Sequence, residues 1–144
     1  MKTKKSNIRV YTGFVSPLTF KEFTKNDLLP IICIRNISSS SVIGHLSGTP
    51  VHFKELAPSS ELFRKKRDKL ITIDEFKKLY AIEISEVDIP EIVGKFDLLV
   101  QMSGAKGIVL LGYGSKKDEC HRSVLADILN NSGLLEDPIK ELIV

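Results

Sequence analysis

Tryptophan is absent from this chain, cysteine occurs twice and histidine three times. No apolar run approaches the roughly 18–20 residues needed to span a bilayer. Two cysteines, Cys33 and Cys120, are too few for a disulfide framework, so both are expected as free thiols. The basic start (Lys2, Lys4, Lys5) leads into a strand-like segment instead of a signal-peptide core, so the expected compartment is the cytoplasm, with no membrane partner. An excess of one charge is also lacking. The formal net charge of +3 permits an anionic ligand. It does not demand nucleic acid, whose binding domains usually show a pI above about 9 with clustered bases. Metal-ligand spacing is missing too: Cys120 and His121 are adjacent, and only Cys33, His45 and His52 stand elsewhere, without the paired intervals of a zinc site. Neither metal nor cofactor is expected.

What is present is an ordinary globular balance, 42% hydrophobic and 27% charged over 144 residues, which suits one domain spanning 1–144. Ile8-Arg9-Val10-Tyr11-Thr12 is β-branched and aromatic and predicts a first strand closed by Gly13. A short helix is expected between Ser16 and Lys25. Leu28 to Ile34 is nearly continuous in apolar residues, the pattern of a strand buried on both faces in a parallel sheet. Asn36–Pro50 carries no period and reads as a long loop, and Val51-His52-Phe53 as a short strand.

Ser59 or Ser60 can cap a helix to about Lys69 whose Arg64, Lys65, Lys66, Arg67 and Lys69 form the most basic window in the chain. That window is either a solvated face or a phosphate-attracting patch. Thr72 and Glu75 have capping-box spacing, with Ile73, Phe76, Tyr80 and Ile84 on one stripe behind them. Asp88-Ile89-Pro90-Glu91 repeats the capping logic, and Gly104 is a natural stop. Gly107–Leu111 is the clearest buried strand. A glycine-bearing turn and a helix from about Glu119 to Asn131 follow it, and the tail from Asp137 should form a short helix or strand. Alternating strands and helices predict an α/β fold: a three-layer, Rossmann-like sandwich with a mostly parallel sheet covered by helices.

Ligands of such sheets sit beyond the carboxyl ends of the strands. The turn Gly112-Tyr113-Gly114-Ser115-Lys116-Lys117 leaves a strand at that end and opens a helix, through Cys120-His121-Arg122-Ser123. Gly112 and Gly114 allow positive φ and close approach; a helix start and the cations Lys116 and Arg122 favour an anion. The turn lacks the third glycine of a dinucleotide fingerprint and is no Walker A loop, so an ordinary turn is the alternative. Cys120, close to His121, Arg122 and two lysines, has the surroundings that lower a thiol pKa; a small buried hydrophobe is the other reading. His121 shares its helix face with Val124, Leu125 and Ile128, and so is either a core histidine bonded to backbone or a general base. Arg122, about 100° away on the wheel, can reach a ligand or bind a carboxylate such as Glu119 or Asp118.

Leu110-Leu111-Gly112-Tyr113-Gly114, together with Cys120-His121-Arg122-Ser123-Val124-Leu125-Ala126-Asp127, resembles the family known as domain of unknown function 488. Val10-Tyr11-Thr12, Ile31 to Arg35, and Lys54-Glu55-Leu56-Ala57-Pro58-Ser59 resemble further segments of it. Where many of its members carry a cysteine and a glutamate after the strand, this chain has Gly112 and Gly114. The resemblance implies a compact three-layer α/β domain with Cys120, His121 and Arg122 as the site and Tyr11, Arg35 and Lys54 near it; it implies no reaction. Two functions follow for testing. One is binding of a phosphate-bearing small molecule or nucleic acid at Gly112, Tyr113, Gly114, Ser115, Lys116, Arg122 and Ser123, with Cys120 as nucleophile. The other is a non-catalytic interaction module in which Cys-His-Arg is structural.

Overall fold

The computed structural model describes residues 5–14, 25, 27–33, 51–112 and 120–142. In chain order these form β1 (Arg9–Phe14), β2 (Leu28–Ile32), β3 (Val51–His52), a 3-10 turn (Lys54–Leu56), α1 (Ser60–Arg67), α2 (Ile73–Ile84), α3 (Ile89–Ser103), β4 (Gly107–Gly112), α4 (His121–Asn131) and β5 (Lys140–Glu141). The predicted loop from Asn36 to Pro50 lies outside the described residues, as does the predicted helix between Ser16 and Lys25 except for Lys25 itself.

The five strands make one sheet in the order β3-β2-β4-β1-β5, and every pairing is parallel. β4 is central and buried along its whole length, as a strand of purely aliphatic character between two glycines requires. β1 runs one residue past Gly13, because Phe14 still has a partner in Gly112. β2 ends at Ile32, two residues short of the predicted Ile34, although the Cys33 N–H still donates to Leu111 O at 3.1 Å.

The chain's own chemistry sets the helix boundaries. Thr72 and Glu75 exchange reciprocal bonds of 3.1 Å, closing the capping box of α2. The Asp88 carboxylate accepts from Glu91 N at the head of α3, and Gly104 ends that helix at φ 72°, a left-handed conformation that glycine adopts without strain. Phe76, Tyr80, Ile84, Ile92, Phe96, Leu125 and Leu129 pack onto Ile31, Ile108 and Leu110. On the opposite face Ile32, Val109 and Leu111 are equally inaccessible, so both faces of the sheet are covered, as the three-layer prediction requires. Among the described residues no helix is long and apolar enough to cross a membrane.

The strand order locates a crevice. The chain leaves β2 for β3 on one side and leaves β4 for β5 on the other, while β2 and β4 are neighbours. Connections that diverge from adjacent parallel strands open a cleft at their carboxyl ends. Cys33 and Gly112 flank it.

Candidate functional site

Cys120 is the N-cap residue of α4, in extended conformation with φ −104° and ψ 148°. Its sulfur sits against the end of β4: a Cβ added to Gly112 would lie 2.7 Å from Sγ and 3.3 Å from His121 Cε1. The reason for glycine at 112 is therefore space for the thiol. Its φ is not positive, contrary to the expectation from sequence, because the residue still belongs to the strand ladder.

His121 is the core histidine bonded to backbone, the first of the two readings left open by the sequence. It is buried, its ring packs edge-on to Tyr80 with centroids 5.3 Å apart, and Nε2 lies 2.7 Å from the Cys33 carbonyl oxygen. A carbonyl only accepts, so Nε2 carries a hydrogen; Nδ1 presents its lone pair when the ring is neutral and an N–H when it is the imidazolium. That nitrogen is 3.7 Å from Cys120 Sγ. The order is thiol, imidazole, carbonyl, with the third group fixing the tautomer of the second, as in a nucleophile–base–orienter arrangement. Tyr80 is itself fixed by donating its hydroxyl to Leu56 O at 2.6 Å.

Arg122 is fully buried and grips Glu141: Nη2 is 2.8 Å from Oε2, and Nε is 3.1 Å from Oε1. Glu141 Oε1 also accepts from Thr12 Oγ1 at 2.6 Å. The sequence offered Glu119 or Asp118 as the carboxylate; both lie outside the described residues, and the partner found is 19 positions away on the sheet's edge strand. Neither Glu141 nor Thr12 was singled out from sequence, and no local signal could mark them, since only strand pairing brings them to α4. The Ser123 hydroxyl donates back to Cys120 O at 2.9 Å within the first turn of its own helix.

The electrostatics follow from these contacts. Burial acts most strongly on the Cys120 thiol and pushes its pKa up. The hydrogen bond and charge of His121, with the backbone N–H and charge of Arg122, together outweigh it and bring the thiol down to about 6. Cys33, fully buried like Cys120, is driven far above the ordinary thiol range, chiefly by burial and then by the nearby Cys120 thiolate. Burial also raises the Tyr80 hydroxyl well above its ordinary value. The two thiols thus differ through environment alone.

Of the remaining predicted site residues, Tyr11 and Lys54 are described. Tyr11 is turned away, because alternation along β1 sends Thr12 toward Glu141 and Tyr11 to the other face. There Tyr11 lines a groove of about 330 Å³ with Arg9 and Lys140. Lys54 is exposed in the 3-10 turn after β3. Tyr113, Gly114, Ser115, Lys116 and Arg35 lie outside the described residues. Among the described residues no three of His, Cys, Asp and Glu form a group able to hold a metal.

Fold and site together define a doubly wound parallel α/β domain with an acidified thiol at the switch point of its sheet. Residues 31–133 match the family described as the active DUF488-N3 subclade, and the chain belongs to that family. No curated protein and no solved structure matches the chain.

Proposed function

We propose that this chain is a thiol enzyme in which Cys120 is the nucleophile and the substrate is phosphate-bearing, a nucleotide or a nucleic-acid end. The observation that carries the reading is the Cys120 sulfur at the N-terminus of α4, facing His121 Nδ1 at 3.7 Å and acidified to about 6. At neutral pH such a sulfur is mostly thiolate, the form that attacks an electrophile. His121 holds the displaced proton at Nδ1, and the Cys33 carbonyl keeps the ring in that tautomer. The positive end of α4 favours an anion, and Lys116 stands four residues before Cys120 in the sequence. Arg122, already paired with Glu141, acts on the thiolate rather than as an exposed grip for phosphate. A reducing cytoplasm suits two free thiols, and the description of the subclade as active accords with a working nucleophile.

A second reading has its own support. His121 bonded to backbone and Arg122 bonded to Glu141 are also what a purely architectural Cys-His-Arg would show. Alkylation of Cys120 by iodoacetamide across pH 5–10, with and without a panel of nucleotides, separates the two. The enzyme reading expects a rate that reaches its plateau by about pH 7, protection by at least one nucleotide, and an unreactive Cys33. A midpoint near 9 with no protection by any nucleotide would leave only the architectural reading.

A further inference from the structure

The positive charge of this molecule is gathered in one place. Residues 60–70 hold five cations, Arg64, Lys65, Lys66, Arg67 and Lys69, against the two acids Glu61 and Asp68. That excess of +3 equals the formal net charge of the whole chain, so the rest of the sequence is balanced. α1 buries Leu62 and leaves Phe63, Arg64 and Arg67 exposed, with Phe63 and Arg67 one helical turn apart. Phe63 is 43% exposed, and among the described residues it is the only aromatic ring in the set of exposed large apolar side chains. Lys65 pairs with Glu61 at 3.4 Å and Arg67 with its neighbour Asp68 at 3.2 Å, exposed contacts of little strength. Arg64 and Lys69 form no ion pair among the described residues.

The end of α1 keeps a lysine where the backbone favours glycine. Leu70 N donates to Lys65 O at 2.9 Å and Lys69 N to Lys66 O at 3.1 Å, the paired bonds of a Schellman motif. They hold Lys69 at φ 58°, a left-handed conformation in which a Cβ is strained. At the end of α3 the left-handed residue is Gly104. The lysine thus retains a cation at a position where glycine would fold with less strain.

We propose that the outer face of α1 and its C-terminal turn bind single-stranded nucleic acid, with Phe63 stacked on a base and Arg64, Arg67 and Lys69 on the backbone phosphates. The inference goes beyond the thiol reading, since no step at Cys120 requires it. Every base has a π-face, so one exposed ring beside cations recognises a single strand without a preferred sequence. A guanidinium suits this task because it grips a phosphate with two parallel bonds and also stacks on a ring. A duplex hides its bases from such a ring. A membrane surface fits less well, because a helix lying in the interface presents a continuous apolar face, and α1 turns one ring to solvent between two arginines.

The experiment is fluorescence anisotropy with a labelled oligothymidylate of about 12 nucleotides, titrated with the full chain at several salt concentrations. A base-free strand of the same length, a duplex and vesicles of anionic phospholipid are run beside it. The oligothymidylate should bind more tightly than the other three probes. Phe63→Ala should weaken it at least about fivefold and leave the base-free strand unaffected. Arg64→Ala and Arg67→Ala should each reduce the slope of log affinity against log salt by about 0.7, the value for one phosphate contact on a single strand. Lys69→Gly should do the same while its Tm holds or rises, because glycine relieves the strain; a merely structural lysine would not lower affinity. If Phe63→Ala fails to fold, the base-free strand still tests stacking. Equal affinity for strands with and without bases would overturn the proposal, as would a salt slope indifferent to all three cations. Binding of duplex or vesicles in preference to the single strand, or no binding at about 50 mM salt, would overturn it too. The assay does not read Cys120, so this inference and the thiol reading fall separately.

Discussion

A methyl group at position 112 would lie 2.7 Å from the Cys120 sulfur, inside any real contact distance, and the cysteine has one side-chain torsion with which to respond. Gly112→Ala should therefore displace the thiol from His121 and Arg122 and reduce alkylation at pH 7 by at least about tenfold, measured against wild type. The adjacent histidine acts by charge and hydrogen bond, so His121→Asn should move the midpoint of the alkylation profile up from about 6 toward the ordinary thiol value. Both residues adjoin the sulfur. The reason the site needs glycine was not legible in the sequence, where glycine after a strand reads as a turn; the contact exists only because α4 folds back on β4.

At the scale of elements, the helix ends carry stability without touching the site. Thr72→Ala breaks the capping box of α2, whose bonds are exposed. The expected cost is about 1 kcal/mol, or a Tm lower by a few degrees, with the alkylation profile of Cys120 unchanged. A thermal melt beside the thiol assay checks both halves of that statement. These boundaries were fully readable from Thr72, Glu75, Asp88, Pro90 and Gly104, because capping is a local exchange of hydrogen bonds between residues three apart. β5 is the contrary case. Lys140–Glu141 is two residues long, and its importance comes from lying beside β1, which carries Thr12.

For the molecule as a whole, the acidified thiol couples to folding. In the unfolded chain Cys120 titrates near 9, and in the folded protein near 6. Between those values the unfolded state holds a proton that the folded state has released, so stability should rise as pH increases from about 6 to 9 and be lost as pH falls through 6. Denaturant unfolding under reducing conditions at pH 6 and pH 9 should show the rise in wild type. The same pair of measurements on Cys120→Ser should show it diminished; equal slopes in the two proteins would mean that the thiolate is not stabilised by the fold. The core is a separate matter: Phe96, fully buried against Phe53, should cost about 3–5 kcal/mol as alanine.

The sequence by itself determined the parallel α/β class, most helix boundaries, the buried central strand and the position of the Cys-His-Arg segment at a strand's carboxyl end. Each of these follows from periodicity, capping or composition within a few neighbouring residues. Only the tertiary structure decided which groups converge there: the Cys33 carbonyl on His121, Glu141 on Arg122 with Thr12 behind it, and the absence of a side chain at Gly112 that admits the sulfur. The three hydrogen-bonded pairs among them lie 19, 88 and 129 residues apart. Sequence pattern encodes which face of an element is apolar, but strand order alone sets which elements are neighbours, and the chemistry of this thiol is a property of its neighbours.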